Sequence, residues 1–189
     1  MPRSSNPSLI IYAANFAAFK HRNQRRKDAD ASPYINHPLA LANVLTNEAG
    51  IVDPVVICAA LLHDTIEDTE TTFAELQAEF GRAIAAVVMA RLRWIPVFDH
   101  KVTDDNALPK AERKRLQIVH ARTASRRARL VKLADKICNL RDLVTNPPAS
   151  WKLRRMRKYF DWSGKVIEGL RGTNRTLERL FDEALARRP

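Results

Sequence analysis

The stretch LLHDTIEDT, residues 61–69, follows the apolar run IVDPVVICAA and sets His63, Asp64, Glu67 and Asp68 close together. An imidazole beside a carboxylate is a common donor pair for a divalent transition ion, and a further carboxylate within reach can take a proton from an attacking water. If the preceding helix continues through this stretch, residues four apart share a face, so His63 stands above Glu67 and Asp64 above Asp68. Carboxylates near a helix C-terminus oppose the macrodipole and call for a compensating positive charge, either a cation or basic side chains from elsewhere. The plainer alternative ends the helix before Thr65 and leaves the acids in a solvated loop.

Two other segments carry matching residue types. In PYINHP, His37 directly precedes Pro38 and is expected in extended backbone just outside a helix. In RLVKLADKICNL, Asp135 and Asn139 lie one turn apart beside an apolar stripe. Taken singly, such residues are usually caps, core or surface. Together, His37, His63, Asp64 and Asp135 would offer two nitrogen and two oxygen ligands, which suits Mn²⁺, Fe²⁺ or Zn²⁺ better than Ca²⁺. His100 and His120 have no partner at metal-binding spacing.

The elements that must position these residues read as helices. The chain has 189 residues, 46% hydrophobic and 28% charged, with only 5 glycines, which fits one domain and leaves little room for a turn-rich sheet protein. Asp53 and Pro54 form an N-cap and first-turn proline, Thr72 and Glu75 a capping box, and Gly81 is placed to stop the helix that box starts. Leu130, Leu133, Ala134, Ile137 and Leu140 keep to one helical face. Further helical patterns run from about Leu9 to Arg22, Pro38 to Ala49, Arg82 to Arg93, Pro109 to His120, Trp151 to Leu170 and Thr173 to Arg187. With no alternating strand and no repeat, the expected fold is an all-α, single-domain helical bundle spanning 1–189.

No apolar stretch approaches the roughly 18 to 20 residues that cross a bilayer. The first 27 residues lack acids, as transit peptides do, but cleavage is not expected because the basic run Arg22 to Lys27 has a use in the chain. Cys58 and Cys138 each sit in an apolar helical pattern, which fits buried thiols in a reducing cytoplasm rather than a thiolate zinc site. The net charge of +11 favours anionic partners without choosing among polynucleotides, lipid headgroups and small phosphate esters.

The strings NHP, HDTIED and KLADKICNL, in that order, resemble the HD-domain hydrolases. RRKDADASPYINHP, AALLHDTIEDT, VTDDNALPKAERKRLQ and KYFDWSGKVIEGLRGTN narrow the resemblance to the RelA/SpoT branch. It is closest to the small stand-alone alarmone hydrolases, the group that includes the metazoan SpoT homologue, and covers nearly the whole chain. The resemblance implies a helical bundle holding Mn²⁺ through His37, His63, Asp64 and Asp135, with Glu67 and Asp68 positioning and deprotonating the attacking water. It implies removal of the 3′-pyrophosphate of guanosine tetra- and pentaphosphate, (p)ppGpp. It likewise places Arg26, Lys27 and Lys110 at phosphate-contacting positions, Asn139 near the nucleoside, and Tyr159, with Arg155 a turn before it, near the 5′ phosphates.

The chain departs from that pattern at about 90–101, where MARLRWIPVFDHK is inserted before VTDD, Lys101 replaces an acid and Asn106 a lysine. Trp94, Ile95, Val97 and Phe98 suit a subunit contact, a flap over the substrate mouth, or an extra turn against the bundle. Two other activities share the site chemistry: hydrolysis of adenine alarmones, (p)ppApp, and removal of the 2′-phosphate of NADPH. From a different class, a basic helical module that binds nucleic acid has only the net charge behind it, with no helix-turn-helix or aromatic platform. The expected partner is thus a small nucleotide polyphosphate, with no stable nucleic acid partner and no membrane, and a homodimer left open.

Overall fold

The computed structural model describes residues 6–92 and 109–189, apart from the side chains of 91, 92, 110 and 113. Most of the expected insertion, including Trp94 to Phe98 and Lys101, lies outside the described residues, as do His100 and Asn106. Nine helices are described: α1 (Asn6–Lys20), α2 (Asn36–Asn43), α3 (Pro54–Leu62), α4 (Thr65–Asp68), α5 (Phe73–Leu92), α6 (Lys110–Ala121), α7 (Arg126–Thr145), α8 (Leu153–Glu168) and α9 (Arg175–Ala186). Among the described residues the sole β feature is an isolated bridge between Arg25 and Pro33. The fold is all-α, as the composition predicts.

Helix α3 is apolar on every side and is accordingly buried from Val56 through Leu62. It packs against α1, α2, α5 and α7. Each fully buried leucine here, such as Leu61 and Leu62, contributes about 2–3 kcal/mol by leaving water. Asp53 starts the helix as its pattern predicts: Oδ1 accepts from Val55 N at 2.9 Å. Its second oxygen accepts from Arg127 Nε at 2.8 Å, which ties the start of α3 to the start of α7.

Three local expectations are corrected. First, α3 does not run on through HDTIEDT. His63 Nδ1 donates to Ala60 O at 2.7 Å and Thr65 Oγ1 to Leu62 O at 2.7 Å, so side chains satisfy terminal carbonyls and release the backbone from the helix. Asp64 takes the bridge conformation (φ −101°, ψ −2°), and α4 is a separate single turn. Second, His37 lies inside the first turn of α2 rather than extended before it: the chain turns at Tyr34 and Ile35, and Pro38 is tolerated where no intrahelical N–H is required. Third, that helix widens into a π-helical turn at Val44–Glu48, which Arg141 of α7 holds through two 2.8 Å bonds to the Glu48 carboxylate. Gly81, as its placing predicts, ends the helical run that starts after Thr72: its φ 81° and ψ 163° are non-helical, and a second run, kinked against the first, completes α5 to Leu92. The cap itself forms: Thr72 Oγ1 accepts from Glu75 N at 3.1 Å, while the Glu75 carboxylate pairs with Lys20 of α1 at 2.8 Å.

Candidate metal and nucleotide site

The break after α3 decides the site. His63 and Asp64 end the most buried helix and remain buried, whereas α4 turns outward and exposes Glu67 and Asp68. His63 and Glu67 thus differ in exposure. Asp64 and Asp68 do converge, because Tyr34 OH reaches Asp64 Oδ2 at 2.6 Å and Asp68 Oδ2 at 2.9 Å.

Donor atoms from His37 on α2, His63 at the end of α3 and Asp135 on α7 all lie within 4.8 Å of one another, and all three residues are buried. The His63 bond to Ala60 O fixes the proton on Nδ1, since a carbonyl can only accept, and leaves Nε2 as the lone-pair nitrogen. That nitrogen lies 2.9 Å from Asp64 Oδ2. A lone pair facing a carboxylate oxygen at this distance is favourable only with a cation or proton between them. Nε2 of His37 is 3.5 Å from Asp135 Oδ1, and its buried Nδ1 has no hydrogen-bond partner, Asp142 Oδ2 being 4.0 Å away. Burial pushes the His37 pKa below its ordinary value despite the opposing pull of Asp135, so the ring stays neutral and able to ligate. Two imidazoles with Asp135 and the adjoining Asp64 fit a divalent transition ion.

Asp135 is oriented on both sides. Asn139 Nδ2 donates to Oδ1 at 2.6 Å and Lys136 Nζ to Oδ2 at 3.1 Å, with Lys132 Nζ 4.0 Å from Oδ2. Lys136 also reaches Tyr159 OH at 3.3 Å and lies over the Trp162 ring, 4.5 Å from its centroid, with Lys114 at 4.6 Å from that ring.

Beside the cluster opens a cleft of about 770 Å³ whose walls include His37, Asp68, Asn139, Tyr159, Trp151 and the basic run Arg25, Arg26 and Lys27. Arg26 pairs with Asp142 at 2.6 Å, and Lys27 is exposed. Arg155 does not line the cleft; its guanidinium stacks 4.1 Å from the centroid of Trp151, which does. Glu67 is likewise outside the lining. Lys110 begins α6, but its side chain lies outside the described residues. A second, smaller hollow near Arg126 and Arg129 shares no lining residue with this cleft.

A family model described as HD domain matches residues 13–159. The chain belongs to the HD-domain family. Its relatives within the HD-domain family include the Xenopus tropicalis protein named guanosine-3′,5′-bis(diphosphate) 3′-pyrophosphohydrolase MESH1, 52% identical over 179 residues, which are 95% of this chain and 94% of the relative. The human protein of the same name is 49% identical over 184 residues, covering 97% of each chain. A solved HD-domain structure, of a metazoan ortholog of SpoT said to hydrolyse ppGpp, superposes with a TM-score of 0.85 at 44% identity, covering 100% of this chain and 97% of that one.

Several residues of this HD-domain site carry no clear sequence signal. Tyr34 lies thirty positions from Asp64, and Lys132 and Lys136 are buried, where lysines are rarely found. The motif strings PYINHP and KLADKICNL contain all three, so proximity to a motif was the available hint. Cys58 and Cys138 are buried, as expected, and burial raises the Cys58 thiol to about 11 and the Cys138 thiol further. The Tyr34 hydroxyl is also pushed well above its ordinary pKa, by burial first and then by the Asp64 and Asp68 charges, so it stays a proton donor. No helix among the described residues is long and apolar enough to cross a membrane.

Proposed function

We propose that this chain, as a single hydrolase domain, is a Mn²⁺-dependent 3′-pyrophosphohydrolase of guanosine tetra- and pentaphosphate. The observation that carries the reading is the buried His37, His63 and Asp135 cluster, whose His37 lines a cleft with a basic wall. Relatives named for this activity, about half identical over nearly their full length, support it.

His37, His63, Asp64 and Asp135 would hold the ion. When bound, it supplies Lewis acidity and makes water acidic enough to act as a nucleophile near neutral pH. Asp68, at the cleft and hydrogen-bonded to Tyr34, accepts the water proton, and Glu67 on the same turn helps to place that water. Attack at the phosphorus on the 3′ oxygen breaks that P–O bond, leaves a 3′-hydroxyl on GDP or GTP and releases pyrophosphate. Arg26, Lys27 and Lys110 neutralise phosphate oxygens. Asn139 and Tyr159 line the nucleotide's side of the cleft, and Arg155 supports that side through Trp151. Such a substrate is a soluble nucleotide, so action in the cytoplasm without a stable nucleic acid partner is part of the reading; sedimentation would test for a homodimer.

The test is kcat/KM for guanosine tetraphosphate, its adenine counterpart and NADPH, with Mn²⁺, Fe²⁺ or Zn²⁺ restored to metal-stripped protein. The guanine alarmone with Mn²⁺ should give the highest value. A higher value for NADPH or the adenine alarmone would reassign the substrate, and turnover with none of the three would reject the proposal.

A further inference from the structure

We propose that Tyr34 is a positioning residue whose hydroxyl fixes the ligand carboxylate Asp64 relative to the water-handling carboxylate Asp68. This rests on the functional reading of those two acids given above. The backbone links their main chains, Asp68 N donating to Asp64 O at 2.9 Å, but does not fix their carboxylates. Asp64 sits at the break between helices with φ −101° and ψ −2°, and α4, which carries Asp68, is a single turn. Two carboxylates facing one another repel, and a shared donor offsets that repulsion. The Tyr34 oxygen is 2.6 Å from Asp64 Oδ2 and 2.9 Å from Asp68 Oδ2, so its one proton is shared between them and both oxygens stay drawn to one point.

Tyr34 is itself braced. Its ring stacks on His21, with centroids 4.7 Å apart and planes 28° from parallel. His21 is 1% exposed, and its Nδ1 lies 2.6 Å from Gln24 Oε1. The Gln24 amide donates to the Asp68 carbonyl, and the Tyr34 N–H donates to the Gln24 carbonyl at 3.2 Å. The loop after α1 is thereby stitched to α4 through the Gln24 side chain and the tyrosine hydroxyl. The arrangement matches the role of groups just behind a metal site, which orient the ligating side chains and whose loss typically weakens metal binding about 10- to 100-fold.

The experiment compares wild type, Tyr34→Phe and Gln24→Ala as full chains. Phenylalanine keeps the stack on His21 and removes only the hydroxyl; Gln24→Ala keeps the hydroxyl and cuts its support. Mn²⁺ affinity of metal-stripped protein is read by calorimetry, and kcat and KM are read at saturating Mn²⁺. Tyr34→Phe should bind Mn²⁺ about ten-fold or more weakly and lose kcat by a similar factor with KM within about two-fold, and Gln24→Ala should shift affinity the same way by less. A purely structural tyrosine would lower the melting temperature and leave Mn²⁺ affinity and kcat of the folded protein alone. Wild-type-like values in both variants would overturn the inference. Wild-type protein that binds no Mn²⁺ would instead sink the functional reading, and this inference with it.

Discussion

Lys136→Met should destabilise the metal-free protein more than the metal-loaded one. Lys136 Nζ lies 3.1 Å from Asp135 Oδ2, with the two side chains 4% and 1% exposed. Removing one partner of a buried pair costs about 3–5 kcal/mol, because the remaining charge stays buried. Asp135 keeps the Asn139 bond at its other oxygen, which points to the lower end, about 3 kcal/mol. For a chain of this size that is a fall in Tm of roughly 6–12 °C. With the ion in place, Asp135 faces a compensating charge and the lysine faces a repelling one, so the loss shrinks to about the 1 kcal/mol of an ordinary hydrogen bond. Linkage then requires the variant to bind metal more tightly by the difference, about 2 kcal/mol or roughly 30-fold. Calorimetric melts of stripped and Mn²⁺-loaded protein, with a direct Mn²⁺ titration, check both numbers. Equal losses in the two states, or Mn²⁺ affinity unchanged or weaker in Lys136→Met, would refute the reasoning.

Three further outcomes are expected. Glu48→Gln should lose about 1 kcal/mol at neutral pH by breaking the two bonds to Arg141. Arg141 holds the Glu48 carboxyl below its ordinary 4.5, so this stability is fully present above 4.5 and is lost as pH falls through the depressed folded value; the variant should therefore show a flatter stability slope on the acid side, read from urea melts across that range. Gly81→Ala should cost about 1–3 kcal/mol, since φ 81° with ψ 163° is open essentially to glycine alone, and an unchanged Tm would mean that α5 straightens without penalty. Lys27→Ala should raise KM for the nucleotide about five-fold at low ionic strength and less at high salt, with kcat nearly constant, as for an exposed phosphate contact that binds ground and transition state alike.

The helices were legible where local chemistry decides them. Asp53 caps α3, Thr72 caps α5, and the apolar face of KLADKICNL is buried against the bundle, because each depends on neighbours in sequence. Legibility failed where a distant partner or a side chain competed with the helix. The break at His63 arises from side-chain bonds to Ala60 O and Leu62 O, which the apolar period before it does not encode. Gly81, by contrast, reads as a stop and is one: its φ 81° breaks the helical path, and a second run buries Ile84, Ala85 and Val88 beyond it. His37, His63, Asp64 and Asp135 were nameable from residue type and resemblance, and the first, second and fourth meet within 4.8 Å. Tyr34 and Lys136 become visible only when α2, α4, α7 and α8 pack, because their partners come from different elements.

The central claim is that water attacks the 3′-pyrophosphate at this metal site. Its most direct test is guanosine tetraphosphate turnover in ¹⁸O-labelled water, with products weighed by mass spectrometry from metal-stripped, Mn²⁺-restored and Asp64→Ala protein. The account predicts one ¹⁸O in pyrophosphate, none in GDP, and product only from the Mn²⁺-restored wild type. Label in the GDP hydroxyl, orthophosphate as the first product, or undiminished turnover by the stripped or Asp64→Ala protein would contradict it.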